Sequence, residues 1–374
     1  MPVPMSTIGT QRIMAGRSSG RADERSAPVG TAASCIVKSL VAAAREDWNS
    51  FVNNHPQATF FHRVEWEGVL VEAFGHRSRY LYAESSGRIV GVLPLMEVKS
   101  RLFGHALVST PFCVYGGIIA DSEAALRALE HAACDLGREL GVDYIEMRNR
   151  KLQHPGWLPK DLYVTFRRRI DTNPEQNLLA IPRKQRAMVR KGMQQQLEVQ
   201  IDSSVDRAYD IYSESLRNLG TPVFSRRYME LLKQTFGEQC EVLTVIHGGT
   251  PVASVLSFYF RDEVLPYYGG GTAAARTVAA NDFMYWAVME RARERGNLIF
   301  DFGRSKRGTG SFDFKMHWGF EAEPLNYEYF LVKAVEVPNL SPTNSKYLRL
   351  IEAWRRLPVP LTRLIGPPIA RYLG

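Results

Sequence analysis

The chain has 374 residues, of which 45% are apolar and 23% charged, with a formal net charge of +8. The length suits two or three domains, and the composition excludes a collagen-like, fibrous or wholly disordered protein. Four scattered cysteines (Cys35, Cys113, Cys134, Cys240) with no C-x-x-C argue against a disulfide scaffold or a zinc site, and no apolar run reaches the roughly 18 residues of a membrane span.

Residues 1–33 are rich in Ser, Gly, Arg, Ala and Pro and have no apolar period, which predicts a disordered tail. They also lack the apolar core of a secretory leader, so the cytoplasm is the expected compartment. A first folded unit is expected over 34–166. It begins with a helix ending near Phe74-Gly75, then a strand Ser78–Glu84, a turn at Ser85-Ser86-Gly87-Arg88 and a strand Ile89–Glu97. A strand ending in Tyr115-Gly116-Gly117 follows. Next comes a helix with Leu126, Leu129, Ala133, Leu136 and Leu140 on one face, Asp121 or Ser122 as its cap and Gly141 as its stop. A short strand then carries Glu146 and leads to Arg148.

The same order returns in a second unit over 201–335. Phe236-Gly237 repeats Phe74-Gly75 at an offset of 162, and the strands Glu241–His247 and Val252–Phe260 flank a turn at Gly248-Gly249. Tyr268-Gly269-Gly270 answers Tyr115-Gly116-Gly117. The helix with Tyr285, Val288, Met289 and Ala292 on one face is expected to be capped by Asn281 or Asp282 and closed by Gly296. Asp301 and Arg304 stand where Glu146 and Arg148 stood. Ordered matches at similar offsets indicate a duplicated unit of roughly 150 residues. The predicted class is α/β (α+β), with mixed, mostly antiparallel sheets.

Between the units lies a basic linker, 167–200. From Arg148 to Lys191 there are twelve lysines and arginines against three acids. Such a segment is either a solvated connector or a cradle for an anionic partner such as a nucleotide diphosphate, CoA or RNA. Pro182 suits a helix start, after which Arg183, Arg186 and Arg190 fall on one face with Lys184 and Lys191 beside it. The tail, 336–374, carries an apolar stripe (Tyr347, Leu350, Ile351, Trp354) with Arg349, Arg355 and Arg356. It either folds back on the body or lies on an anionic membrane surface, peripheral to the inner membrane.

Several of these residues carry a family resemblance. The strand Leu298-Ile299-Phe300-Asp301-Phe302-Gly303-Arg304-Ser305 and the block Gly308-Thr309-Gly310-Ser311-Phe312-Asp313-Phe314-Lys315-Met316-His317-Trp318-Gly319-Phe320 resemble the signature of the FemAB-like branch of the GNAT acyltransferase superfamily. Gly91-Val92-Leu93-Pro94-Leu95, Tyr115-Gly116-Gly117 and Ile181-Pro182-Arg183-Lys184 agree. The nearest resemblance is to the FemAB-related proteins associated with PEP-CTERM/exosortase systems, over about residues 36–374. It implies two tandem GNAT-like domains and transfer of an acyl or aminoacyl group to an amine on a cell-envelope or exopolysaccharide precursor. No tightly bound cofactor is implied; the donor is acyl-CoA or aminoacyl-tRNA. Two departures leave the donor open. The long helical arm of FemA-type members is absent, and the loop Arg276-Thr277-Val278-Ala279-Ala280-Asn281 lacks the glycines of a CoA pyrophosphate loop.

Acyl transfer requires a neutral amine, a positive charge or N–H donors at the developing oxyanion, and an exit for a proton. Lys315, which matches the lysine of the family's Phe-Lys motif, is the first candidate for the oxyanion or donor phosphate, and Arg304 for anion binding. If 313–317 is extended, Asp313, Lys315 and His317 share one face and form a proton-handling group. Asp301 would orient Arg304 or act as base, and the Tyr268 hydroxyl would serve the leaving group. Tyr115 is the first-half copy, aimed at the acceptor. Arg276, Asn281, Arg183, Lys184, Arg186 and Arg190 complete the expected substrate-binding set. No serine, Walker or dinucleotide motif is present, which favours direct aminolysis. The alternative is a non-catalytic module that binds RNA or an anionic glycan precursor.

Overall fold

A computed structural model of the chain describes residues 35–100, 104–337 and 345–372. The tail predicted over 1–33 lies outside the described residues.

The second unit is built on a six-stranded sheet with the order Arg167–Arg169, Ile299–Asp301, Glu263–Gly271, Thr250–Phe260, Cys240–His247, Glu198–Asp202. All its neighbours are antiparallel except Glu263–Gly271 and Ile299–Asp301. Side chains alternate across a strand, so each strand feeds two cores. Val242, Leu256 and Phe258 join Tyr209, Leu232 and Phe236 of the helices Asp206–Leu219 and Arg226–Phe236. Leu243, Val245 and Val255 join Met284, Val288 and Met289 of the helix Ala280–Glu294. The apolar spacing read from sequence is therefore the packing face of that helix. Its start differs from expectation: Ala279, with φ +55°, is the N-cap, and Asn281 and Asp282 lie inside the first turn.

The first unit departs further from its copy. The single strand expected over Ile89–Glu97 breaks at Pro94 into Arg88–Leu93 and Leu95–Ser100, which enter different sheets. Proline cannot donate to a ladder, so a turn between sheets is a natural place for it. Tyr115-Gly116-Gly117 is not a strand end either. The strand Gly104–Ser109 stops at Ser109, and Thr110 and Phe112 take positive φ (42° and 70°) as the chain leaves the sheet. Gly116 and Gly117 instead donate their N–H groups to the Arg148 carbonyl at 3.1 and 3.2 Å. The helix Glu123–Leu140 is as predicted, with the Ser122 side chain accepting from the Ala125 N–H and Gly141 left-handed at its end.

The sheets do not respect the linear order of the units. Asn326–Leu331, late in the chain, pairs with Tyr144–Asn149 and Leu158–Lys160 of the first unit. Tyr163–Thr165 pairs with Ser305–Lys306 and Glu323–Pro324. One aromatic core also spans both units, with Phe60, Phe61 and Trp66 against Phe236 and Phe258. The tail folds back: the helix Val359–Ala370 is pinned by Arg363 to Ser213, and the Arg371 carbonyl accepts from His76 Nε2 at 2.9 Å.

Candidate active site

The second sheet opens at its parallel seam. Glu263 and Val264 pair with Ile299 and Phe300, and there the pairing stops, while the longer strand runs on to Gly271. From Leu265 onward one edge of that strand has no strand beside it among the described residues. The strand is also bulged: Leu256 opposes Tyr268 and Ser257 opposes Pro266, which leaves Tyr267 as the extra residue. Bulges re-aim a strand and are common beside active sites. The result is a wedge with backbone N–H and C=O groups on one side and the Asp301–Arg304 strand end on the other.

The strand end is held by a buried polar hub. Asp301 is fully buried and accepts from the Tyr115 hydroxyl (2.9 Å), Thr165 Oγ1 (3.0 Å), Arg167 Nε (3.1 Å) and the Gly303 N–H (2.7 Å). Four donors converge on this carboxylate, so its geometry is that of an organiser. Tyr115 does not face an acceptor pocket. It leaves the first unit and ties Asp301 of the second to Thr165.

Lys315 lies on the helix Gly310–His317 and not on a strand. Phe312, Phe314, Met316 and Trp318 alternate as a strand would, but the buried pair Lys315 and Trp318 has helical spacing. Asp313 and His317 therefore share the solvent side and Lys315 points inward, so the three do not form one group. Lys315 Nζ donates to the carbonyls of Phe302 (2.7 Å), Gly303 (2.9 Å) and Arg304 (3.3 Å). Burial pushes its pKa down to about 7, helped by Arg304 and opposed by Asp301. The lysine thus clamps the strand end at the gap.

Arg304 does not pair with Asp301 or Asp313. Its guanidinium stands 4.7 Å from the Tyr163 ring and 5.9 Å from the Tyr327 ring, and donates to the Tyr327 hydroxyl at 3.4 Å. No carboxylate pairs with it among the described residues. Tyr268 turns away from the gap: its hydroxyl meets that of Tyr228 at 2.9 Å, and burial pushes the phenol pKa well up. Thr165, Arg167, Tyr163 and Tyr327 escaped the sequence reading. Only Arg167, within the basic run, carried any signal.

Two other residues line the opening. Tyr285, read as a core position, is partly exposed, and a Cβ at Gly269 would stand 2.8 Å from its hydroxyl. Gly269 is what lets that phenol sit beside the open strand edge. Asn281 packs against Gly271, and Arg276 is exposed on the short helix Ala273–Thr277.

The basic helix is real, Arg183–Met193, and it sits against this region. Gly192 lies where a Cβ would be 3.0 Å from the Ala279 carbonyl and 2.8 Å from Phe283, and Gln185 bonds Asp282. Its start meets the end of the Lys315 helix, because a Cβ at Gly319 would stand 2.8 Å from Pro182. Arg183, Arg186 and Arg190, with Lys191, line an open cavity of about 330 Å³. Lys184 is exposed outside it. None of these side chains has an acidic partner among the described residues.

Residues 181–316 match the family model described as an acetyltransferase (GNAT) domain. No curated protein matches the chain. Among solved structures, FemX is similar over 80% of this chain and 98% of its own, at 14% identity and a TM-score of 0.63. The C-terminal domain of a putative lysylphosphatidylglycerol synthetase from Agrobacterium fabrum is similar over 77% and 92%, at 15% identity and a TM-score of 0.53. A tandem GNAT protein from the clavulanic acid biosynthesis pathway is similar over 82% and 100%, at 12% identity and a TM-score of 0.52.

Proposed function

We propose that this chain, a mixed α/β fold of the GNAT type with an acetyltransferase-like domain over 181–316 and neighbours that include a tandem GNAT protein, is an N-acyltransferase that moves an acyl or aminoacyl group onto an amine of a cell-envelope or exopolysaccharide precursor. The observation that carries this reading is the open edge of Leu265–Gly271 facing the clamped Asp301–Arg304 strand end. FemX and the lysylphosphatidylglycerol synthetase domain suit an aminoacyl donor, and the acetyltransferase match suits acyl-CoA.

In this reading the donor lies along the open edge, where its amide groups meet backbone partners as an added strand would. Its phosphates reach Arg183, Arg186 and Arg190. The amine lone pair attacks the carbonyl carbon, forming the C–N bond. Backbone N–H groups at the Tyr267 bulge and the charge of Arg304 stabilise the oxyanion. Its collapse breaks the C–S bond of a thioester or the C–O bond of an aminoacyl ester. The amine's proton leaves to water. The Tyr285 phenol, whose pKa burial pushes up to about 12, stays protonated and is placed to donate to the leaving group. Lys315 and Asp301 are positioning residues that fix Arg304.

The test is amide formation on a panel of amines with acetyl-CoA, longer acyl-CoAs and charged tRNA, with donor binding read by thermal shift. Exchanging Arg183 and Arg190 for Glu should weaken donor binding by about 10- to 100-fold, the scale of one or two charge-assisted contacts. Tyr285→Phe should lower turnover by about 10- to 100-fold with donor binding retained. A chain that binds no donor and acylates no amine would be the binding module instead. That second reading rests on one observation: Asp301, Lys315 and Tyr268 are all satisfied internally.

A further inference from the structure

The terminal helix Val359–Ala370 is built inside out. Its only polar side chains, Thr362 and Arg363, face the body. Thr362 is buried, and Arg363 donates to Ser213 Oγ at 3.0 Å and pairs with Asp210 at 2.9 Å. Gly366 and Ala370 complete the inner face; a Cβ at Gly366 would stand 2.9 Å from the Val223 carbonyl, so the helix seats closely. The solvent side is Pro360, Leu361, Leu364, Pro368 and Ile369, all apolar and exposed, with Leu364 at 73%. A surface helix that packs on a core ordinarily shows the reverse.

The chain that leads into this helix is basic. Arg349, Arg355 and Arg356 are exposed on the preceding helix and turn, and none forms an ion pair among the described residues. Glu352 is the only acid after residue 336. At 12 residues the helix is far too short to span a bilayer, and no described helix is long and apolar enough to cross a membrane. An apolar ridge preceded by exposed arginines that have no acidic partner among the described residues fits the interface of an anionic bilayer, with leucines in the acyl boundary and guanidinium groups among phosphates. A second copy fits worse, since it would bring the same arginines against their own kind.

We propose that this face docks the protein in the plane of an anionic lipid surface. The proposal deepens the reading of an envelope-borne acceptor, although the surface is argued without it. It also has a consequence for access. A cavity of about 510 Å³ takes Val359, Pro360 and Arg363 from this helix and Thr272 from the end of the open-edged strand. The membrane-facing helix and the donor strand therefore share a wall.

The experiment is co-sedimentation of the full chain with vesicles of mixed phosphatidylglycerol and phosphatidylcholine, and with phosphatidylcholine alone, without any donor. Binding is expected to the anionic vesicles, weakened by salt. Leu361→Ser with Leu364→Ser should lower partitioning about tenfold or more at unchanged melting temperature, because both side chains are solvent-facing. Arg355→Gln with Arg356→Gln should weaken it about 30-fold, at roughly 1 kcal/mol per basic residue. Failure to bind anionic vesicles, or equal binding by the leucine double variant, overturns the proposal. So does a dimer in solution that the leucine variant makes monomeric, since the face would then join two copies. Acyl transfer to a soluble amine is scored separately, so loss of one reading leaves the other standing.

Discussion

Lys315 shows how a residue legible in sequence acquires its role from position. Its ammonium is held against three backbone carbonyls, and burial draws its pKa from the ordinary 10.5 to about 7. Between those values the unfolded chain binds a proton that the folded chain has released. Stability from this group therefore rises with pH through that window, by at most about 1.4 kcal/mol per pH unit, and the cost of burial is full below it. Urea midpoints of the wild type and Lys315→Met across the window should diverge with this slope; parallel profiles would mean the lysine is not so perturbed. Asp301 gives a larger effect. Asp301→Asn removes the charge that faces Arg167 and leaves donors of Tyr115, Thr165 and Gly303 poorly matched. Breaking one partner of a buried ion pair costs about 3–5 kcal/mol, so the thermal midpoint should fall by many degrees. Arg167 also meets Glu263, which bounds the loss from above. An unchanged melt would show that the hub does not tie the units together.

At the scale of elements, the basic helix Arg183–Met193 was readable because one charge type recurs at helical spacing, and the fold keeps it. Its seating was not readable, because Gly192 reveals its purpose only when Phe283 and Ala279 arrive from far along the chain. Gly192→Ala should force the helix off Ala280–Glu294 and cost about 1–3 kcal/mol, the usual price of overpacking. Donor binding should weaken more than stability alone explains, since the arginines move with the backbone; isothermal titration beside a denaturant melt separates the two. The same contrast explains the misread block Ser311–Trp318. Its aromatic residues alternate with period two, yet the buried Lys315 and Trp318 are three apart. Local pattern lost to a tertiary contact, the amine with the strand end, that no spacing announces. The duplication was legible as Gly- and acid-marked offsets, but the split at Pro94 and the departure of Tyr115 from its strand depend on what each copy packs against.

The whole molecule is interlocked by exchanged strands, which a linear reading of two consecutive units does not contain. Tyr144–Asn149 is buried at every position because Asn326–Leu331, from the far end of the chain, covers its edge. Tyr327 and Tyr329 arrive on that strand and enter the aromatic core, and the Tyr327 hydroxyl donates to the Val114 carbonyl at 2.7 Å. Glu328 on the same strand accepts from the Asn149 side chain at 2.6 Å and from the His154 N–H at 3.0 Å. A fragment ending at residue 166 loses all of these at once and exposes an unpaired sheet edge. Expressed alone, residues 34–166 should lack cooperative melting and aggregate. Co-expressed with 167–374, they should be recovered as a complex, because the strand that completes their sheet is supplied in trans. The two-unit chain should correspondingly unfold in one transition, with calorimetric and van't Hoff enthalpies equal. A 34–166 fragment that melts cooperatively by itself, or two separate transitions in the intact chain, would mean that the exchanged strand adds little. The polar hub at Asp301 would then have to join two bodies that are already stable.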